Sequence, residues 1–328
     1  MRSGSRQSDP RSPAVRTTFR VKQAAAIARS GARRYSKELL GSLKARIGPK
    51  AHESHAHETP WASYETAPLA ASWIGHATVL LRIGGLWAIT DPVFSHRIGL
   101  RLGPLTLGVE RLRPPNLRPE SLPPIDLVLI SHAHFDHLDK PSLRQLVRDT
   151  TTVITSRNTA RLIPRGFGQV REVHWDQSVQ VGPITIHALR PQHWGARTAW
   201  DRHRGYNSYL MQVGAGAAPT RVLYAGDTAY TRAYEHVGGA DLSVFGIGAY
   251  DPWIHAHATP EQVWDMHRQA GAKYLLPIHH STFKLSDEPM DEPLRRLVAA
   301  AGSEHARIVT ANGQKLWRPG EASGTLGR

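Results

Sequence analysis

Residues 125–137 read Ile125-Asp-Leu-Val-Leu-Ile-Ser-His-Ala-His-Phe-Asp-His137. An apolar run typical of a buried strand ends here, and four potential metal ligands follow it within six positions. Alternation along the chain places His132 and His134 on the same side, where they can bind one ion. The turn lets Asp136 and His137 reach a second ion nearby. Imidazole and carboxylate ligands suit zinc, with iron or manganese as alternatives, so the stretch predicts a metal site at the end of a strand.

The composition of the whole chain limits the types of metal ligand and argues against a membrane-spanning helix. The 328 residues include no cysteine, so His, Asp and Glu are the only strong candidates for binding a transition metal. No run approaches the roughly 18 consecutive apolar residues of a membrane-spanning helix. With 40% hydrophobic residues, the chain suffices for one main domain and an extension. We therefore expect a protein that does not cross a bilayer. The apolar run at 24–28 is short and flanked by charges, unlike a secretory signal, so we expect the protein to be cytoplasmic.

The positive charge is concentrated near the N-terminus. Of the net charge of +14, residues 1–50 carry +11, and the remaining 278 residues carry +3. Residues 1–13 lack apolar periodicity and are expected to be disordered. Residues 19–47 predict a basic amphipathic helix, because apolar side chains recur there at steps of four, at Tyr35, Leu39, Leu43 and Ile47.

Two functions of this helix remain open. It can anchor the protein to an anionic lipid surface, which would place a cytoplasmic protein peripherally on the inner face of the membrane. It can equally cap the main domain and leave its basic face in water. We interpret residues 1–60 as a basic arm that ends in a histidine-rich linker, and residues 61–328 as the main domain.

The linker has ligand-like spacing at His52, His55 and His57 but no apolar run to hold these side chains in a fixed geometry. We therefore expect that replacing all three with alanine leaves the metal content of the purified protein unchanged, as measured by elemental analysis. A loss of one metal per chain would show that the linker binds an ion.

From Trp61 onward, short apolar runs alternate with turn signals and a few helical stretches. Many strands with few helices, mixed along the chain, favour an α/β unit of sheets flanked by helices. The predicted helices cover 140–148, 260–270 and 292–301. The predicted strands cover 71–74, 78–83, 86–90, 126–130, 152–155, 184–189, 208–213, 221–225, 242–247, 274–278 and 307–309.

The motif His132-Ala-His-Phe-Asp-His137 resembles the H-x-H-x-D-H signature of the metallo-β-lactamase superfamily. Further segments resemble that superfamily in the same order, and the resemblance covers roughly residues 71–317. They are Trp73-Ile-Gly-His-Ala-Thr-Val-Leu80, Thr90-Asp-Pro-Val-Phe94, Pro191-Gln-His-Trp194, Ala225-Gly-Asp-Thr228 and Pro277-Ile-His-His-Ser-Thr-Phe283.

Within the superfamily, the chain is most similar to the N-acylphosphatidylethanolamine-hydrolysing phospholipase D type. The motifs that carry this similarity are Gln192-His-Trp194, Gly226-Asp-Thr228, Gly248-Ala-Tyr-Asp-Pro252 and His257-Ala-Thr-Pro-Glu261. Where that type commonly shows His-Trp-Gly-Thr-Phe, this chain has His279-His-Ser-Thr-Phe283.

The resemblance implies a four-layered αββα sandwich for the catalytic domain and a site for two Zn²⁺ ions. It assigns three ligands to the first ion (His132, His134, His193) and three to the second (Asp136, His137, His279), with Asp227 as the bridge. The residues support this set independently. An apolar strand run precedes each of His193, Asp227 and His279. One such residue is commonly an ordinary turn residue, but three of them together with the cluster at 132–137 indicate a metal site.

The resemblance also implies catalytic roles for Asp136 and His257. His257 would lie near the substrate, as a general acid or a phosphate contact, although a histidine before the helix at Pro260 is also an ordinary loop residue. His255 and His280 are expected not to be ligands. His76 and Asp91 are expected to support the ligands or the fold.

The motifs and the family resemblance together predict a metal-dependent phosphodiesterase. It would act on N-acylphosphatidylethanolamine-like phospholipids through a metal-bridging hydroxide. The same site would serve a lactonase or another phosphoesterase, since hydroxide attacks carbon and phosphorus alike. A nucleic-acid-binding protein is a third reading, less favoured because the positive charge lies in the arm and not across the catalytic domain. Deleting residues 1–50 discriminates between the lipid and the nucleic-acid hypotheses. Loss of liposome binding with retained turnover of a soluble diester favours the first, and loss of salt-sensitive DNA or RNA binding favours the second.

Overall fold

The computed structural model describes residues 61–103, 105–198, 200–215, 218–313 and 315–321. The predicted basic arm, with its helix and its histidine-rich linker, lies outside these residues. Within the described residues, no helix combines the length and the apolar character needed to cross a membrane.

The described residues form fourteen strands, three α-helices and four 3-10 turns. The strands are β1 (Leu69–Gly75), β2 (Thr78–Ile83), β3 (Leu86–Thr90), β4 (Arg97–Leu102), β5 (Leu105–Glu110), β6 (Leu127–Ile130), β7 (Thr152–Ser156), β8 (Gln169–Val173), β9 (Ser178–Val181), β10 (Ile184–Leu189), β11 (Ser208–Val213), β12 (Thr220–Tyr224), β13 (Ala240–Gly246) and β14 (Ala272–Ile278). The helices are α1 (Lys140–Gln145), α2 (Pro260–Gln269) and α3 (Glu292–Ala301), and the 3-10 turns are Trp61–Tyr64, Pro119–Ser121, Ala160–Leu162 and Gly302–Arg307.

The strands make two six-stranded sheets and one separate hairpin. The first sheet has the order β1-β2-β3-β6-β7-β8, and the second has the order β14-β13-β12-β11-β10-β9. In the first sheet, the neighbours β3-β6-β7-β8 pair in parallel, and in the second sheet the neighbours β12-β13-β14 do so. All other neighbouring strands of the two sheets pair antiparallel. Strands β4 and β5 pair only with each other.

The two sheets face each other across the main core, with helices outside. Strand β6 shows this arrangement, because Leu127 and Leu129 enter the core between the sheets while Val128 and Ile130 pack outward with Leu143 of α1. On the outer face of the second sheet, α2 and α3 cover Phe245 and its neighbours. A strand buried on both faces reads as a continuous apolar run. The predicted four-layered αββα sandwich is confirmed.

Several predicted boundaries differ from the structure. Strands β4, β5, β8 and β9 were not predicted, because they are short, exposed or rich in polar residues. Helix α1 ends at Gln145 and not at Arg148. The strand predicted at 307–309 is a single bridge between Ile308 and Leu275, which follows a 3-10 turn.

His267 of α2 gives a stability prediction away from the site. Its ring is buried, its Nδ1 lies 2.8 Å from Ser243 Oγ, and burial lowers its pKa to about 3. A depressed histidine pKa means that the unfolded chain binds the proton more readily, so this contribution to stability is complete above pH 6.5 and falls as the pH approaches 3. We expect His267 to account for a loss of about 2 kcal/mol between pH 7 and pH 5.

The His267→Phe variant should lack this part of the pH dependence. Urea unfolding at pH 7 and pH 5 measures it as a difference from wild type, and His236→Phe on the surface serves as the control. An equal pH dependence in wild type and His267→Phe would contradict the prediction.

Candidate metal centre

The predicted ligands lie beyond the ends of strands at one edge of the two sheets. His132 follows β6, His193 follows β10, Asp227 follows β12 and His279 follows β14. The loops come close because Gly226 has φ +61 and no side chain. A Cβ there would lie 2.9 Å from Ser131 Cβ, so a larger residue would push the two loops apart.

Asp227 occupies the middle of the site. Its Oδ2 atom lies 3.0 Å from His137 Nε2, 3.4 Å from His279 Nε2 and 3.8 Å from Nε2 of both His132 and His193. One carboxylate oxygen therefore faces four ring nitrogens. This is the geometry that a bridging ligand requires.

The surrounding side chains form two groups, and within each group the potential ligand atoms lie within 4.8 Å of one another. One group is His132, His134, His193 and Asp227; the other is His76, Asp136, His137 and His279. Two smaller groups overlap these, namely Asp91 with His132 and His137, and Asp227 with His257 and His279. The structure thus brings all seven predicted ligands together, with His132, His134 and His193 in one group and Asp136, His137 and His279 in the other. It adds His76 to the second group.

Four buried atoms of the predicted ligands have no hydrogen-bond partner, namely His137 Nε2, His193 Nε2, His279 Nδ1 and Asp227 Oδ1. An unpaired buried polar atom destabilises the folded state, and most such atoms in proteins have partners. These atoms belong to residues of the ligand groups, where bound cations would supply partners for the two Nε2 atoms and the carboxylate oxygen. The donor set of imidazoles and carboxylates fits a pair of divalent transition-metal ions.

The electrostatics favour the forms of these side chains that bind metal. Burial lowers the pKa of His132 and His193 well below the ordinary value, and that of His134 to about 4. For Asp136 and Asp227, burial raises the pKa, but the nearby imidazoles outweigh it and hold the pKa well below the ordinary range. Neutral imidazoles and ionised carboxylates are the species that coordinate metals.

His137 shows the opposite shift. Burial lowers its pKa, but the carboxylates of Asp227, Asp136 and Asp91 outweigh burial and raise it well above the ordinary value. A proton on this ring balances the buried negative charge. Metal binding would replace that proton with the charge of the cation.

Asp91 orients two of the ligand rings. Its carboxylate accepts hydrogen bonds from the Ser131 backbone N–H at 2.7 Å, from Tyr224 Oη at 2.6 Å and from the Ser131 hydroxyl. The His137 Nδ1 atom lies 2.6 Å away and must carry a proton to donate to the carboxylate, which leaves Nε2 for a metal. The Ser131 hydroxyl in turn lies 2.8 Å from His132 Nδ1, so Asp91 influences both rings.

His193 is oriented in a similar way by the backbone. Its Nδ1 atom lies 3.0 Å from the Ala256 carbonyl oxygen and must donate to it, which again leaves Nε2 free to face Asp227.

His76 is not a ligand in the set that the family resemblance implies, yet it lies in the second group. Its Nε2 lies 3.1 Å from Asp136 Oδ2, and burial lowers its pKa to about 3. His76, Asp91 and His279 all have positive φ, at 52°, 32° and 60°. Non-glycine residues in this region are uncommon and cluster at functional sites. The available sequence signal was a histidine in the tight turn between two buried strands.

The remaining histidines occupy different positions. His257 Nδ1 lies 4.0 Å from Asp227 Oδ2, and burial lowers its pKa to about 4, so the ring faces the centre in neutral form. His255 lies farther out, parallel to the ring of Trp194 with centroids 6.4 Å apart. His280 stacks on Trp73 at 4.6 Å. Among the described residues, neither His255 nor His280 belongs to a ligand group.

Comparisons with known proteins agree with this architecture. A family model described as "Beta-lactamase superfamily domain" matches residues 86–280. An uncharacterized protein of Mycobacterium tuberculosis is 33% identical over 273 residues, which are 77% of this chain and 69% of that protein. The N-acyl-phosphatidylethanolamine-hydrolyzing phospholipase D 1 of Caenorhabditis elegans is 29% identical over 275 residues, which are 76% of this chain and 75% of that one.

Among solved structures, the isothiocyanate hydrolase from Delia radicum gut bacteria superposes with a TM-score of 0.59 at 18% identity. The superposition covers 77% of this chain and 99% of that chain, and it shows a shared fold. Together, the family match, the identity to the mycobacterial protein and the common fold show that the chain belongs to the β-lactamase superfamily, as a hydrolase of the metallo-β-lactamase fold.

Proposed function

We propose that the protein hydrolyses a phosphodiester bond of N-acylphosphatidylethanolamine-like phospholipids. The observation that carries this proposal is the similarity to the C. elegans phospholipase D, which extends over three quarters of both chains. The described site supplies the ligands that such a reaction needs. The superfamily alone would leave the substrate open, because one fold hosts many reactions.

Two zinc ions are the proposed cofactors, and iron or manganese would accept the same donor types. One would be held by His132, His134 and His193, the other by Asp136, His137 and His279, and both would share Asp227. Such a pair lowers the pKa of water to form the nucleophile and neutralises the charge that develops on the phosphate.

The protein's own groups orient the attacking water and contact the phosphate. The Asp136 carboxylate is 15% exposed and lies among the rings of His76, His137 and His279, where it can accept a hydrogen bond from the attacking water. His257 Nδ1 lies 4.0 Å from Asp227 Oδ2, and His257 forms a smaller group with Asp227 and His279. We assign His257 to contact with the phosphate or with the leaving oxygen.

The His257→Ala variant should therefore keep its metal and lose turnover by about 100-fold or more, the usual scale for removing a hydrogen-bond donor to the charge that develops in the transition state. His255→Ala is the matched control, because that ring lies two residues away and outside the ligand groups. Steady-state kinetics with metal analysis provide the measurement. Comparable turnover in the two variants would remove His257 from the mechanism.

A panel of N-acyl phospholipids, simple phosphodiesters and lactones, assayed with protein of known metal content, tests the substrate class. We expect about two metals per chain and the release of phosphatidic acid from N-acyl phospholipids, with slower turnover of simple phosphodiesters. Preferential opening of lactones would replace the phospholipid proposal with the lactonase alternative. Full activity in metal-free protein would contradict the metal mechanism itself.

An anionic membrane surface is the proposed partner of the arm over residues 19–47, and it would bring the site to its lipid substrate. Salt-sensitive binding of DNA or RNA by the same arm, without liposome binding, would favour the nucleic-acid alternative.

A further inference from the structure

The β4–β5 hairpin is amphipathic, and its apolar face extends beyond the body of the domain. Three apolar cross-strand pairs alternate with pairs that contain no large apolar side chain. The apolar pairs are Ile98 with Val109, Leu100 with Leu107, and Leu102 with Leu105, and those between them are Gly99 with Gly108 and Arg101 with Thr106. One side of this ribbon is therefore a continuous aliphatic strip.

The aliphatic strip is buried at its inner end, half-buried along β5 and exposed at the outer end of β4. Ile98 is buried against Phe283, and Val109 and Phe135 pack on the same cluster. Leu100 and Leu102 are 53% and 55% exposed. An isolated two-stranded hairpin is only marginally stable in water. Burial of its exposed apolar end against other apolar groups would therefore stabilise it.

The aliphatic strip is continuous with the candidate metal centre. Phe135 lies between His134 and Asp136 in sequence, and the Phe283 ring packs against the ring of His76 with centroids 5.1 Å apart. From Ile98 to Leu102, the hairpin reaches roughly 13 Å outward. Apolar contact thus runs from the ligand loops to the hairpin tip.

The charge of this region identifies the partner. Residues 97–118 contain five arginines and one glutamate, a net charge of +4, whereas residues 61–328 as a whole carry +5. The basic excess of the catalytic domain is therefore concentrated on the hairpin and the segment that follows it. Arg101 and Arg113 are exposed there, as is Leu112 at 57%.

Exposed aliphatic side chains flanked by arginines fit the surface of an anionic bilayer, which offers acyl chains below and phosphates above. The outer face of the hairpin lacks the aromatic side chains that are enriched in protein interfaces. Trp200, 92% exposed, belongs to a neighbouring segment whose Arg197 guanidinium stacks on Phe135 at 3.9 Å. An exposed tryptophan is also typical of a membrane interface.

We propose that the tip of the β4–β5 hairpin inserts into the surface of an anionic phospholipid bilayer and holds the metal centre against it. This docking deepens the proposed phospholipase function and rests on it. Leu100 and Leu102 enter the acyl region, and Arg101 and Arg113 contact lipid phosphates. The bound lipid then lies along the aliphatic strip with its headgroup toward the ligand loops.

The absence of cysteine allows a direct test in the full chain. Leu102→Cys carries an environment-sensitive fluorophore, and Val170→Cys on strand β8, an exposed aliphatic site elsewhere, is the matched control. With vesicles that contain phosphatidylglycerol, the label at position 102 should shift to the blue and become shielded from iodide, while the label at 170 should not change.

A second comparison measures the effect on binding. Leu100→Glu/Leu102→Glu should lower partition into these vesicles by about tenfold or more, whereas Gln169→Glu/Val170→Glu, with the same change of charge, should not. Both variants should turn over a soluble phosphodiester at close to the wild-type rate, which shows that they are folded. Equal vesicle binding by the two double variants would overturn the proposal.

Other results separate this proposal from its alternatives. Shielding of the label at 102 before vesicles are added would show that another part of the chain or a second copy covers the hairpin, and docking would be wrong. Insertion without phospholipid cleavage would sink the proposed function and leave the docking intact. Cleavage of phospholipid in detergent micelles without insertion into vesicles would overturn the docking proposal and leave the proposed function intact.

Discussion

Replacing Asp227 with asparagine is expected to remove both metal ions and to lower turnover by at least about 10³-fold. Asp227 Oδ2 is the atom that the rings of His137 and His279 share with those of His132 and His193. A neutral amide has the same size but cannot balance two cations in a buried site. Elemental analysis and assay of the same preparation measure the two losses together.

Asp265→Asn is the control, since Asp265 lies on the exposed side of α2 and should keep wild-type metal content and activity. His134→Ala tests the same centre from one side, and we expect it too to lose metal and hydrolysis. Retention of two metals by Asp227→Asn would refute the bridging role, whatever its activity.

Replacing Asp91 with asparagine should weaken both the metal centre and the fold. The carboxylate accepts from Ser131, Tyr224 and His137 in a fully buried position, and an amide nitrogen would place a donor against these donors. We expect unfolding free energy to fall by about 3 kcal/mol and metal affinity to fall 10- to 100-fold. The affinity falls because His137 would then favour the tautomer whose proton occupies Nε2.

Competition with a chelator measures the affinity, and denaturant unfolding of the metal-free protein measures the stability. Asp126→Asn provides the comparison, because Asp126 also accepts a backbone hydrogen bond, from Trp87, but lies away from the ligands. If Asp91→Asn were destabilised without any loss of affinity, the carboxylate would support the fold alone.

The central strands were predictable because their environment leaves a strong pattern. A parallel strand buried on both faces, such as Leu127–Ile130, is apolar at every position. The β4–β5 hairpin lacked such a pattern, since glycines and arginines interrupt its aliphatic residues. Its amphipathic character became visible only through the cross-strand register, which pairs residues that are up to 13 positions apart in the chain.

The sequence by itself determined the ligand types and the main cluster. Four ligands within six positions, with no cysteine in the chain, restrict the chemistry to imidazole and carboxylate coordination before any fold is known. Family resemblance added His193, Asp227 and His279. The structure places all seven side chains in two adjoining groups.

Only the tertiary structure decided how these side chains are oriented and what supports them. His76 and Asp91 look like turn residues in sequence, yet one joins the second ligand group and the other fixes the tautomer of His137. Such roles depend on hydrogen bonds between residues 40 or more positions apart, which local pattern does not encode. The stretch from Ile125 to His137 predicts a metal site, and the packing of two sheets determines its shape.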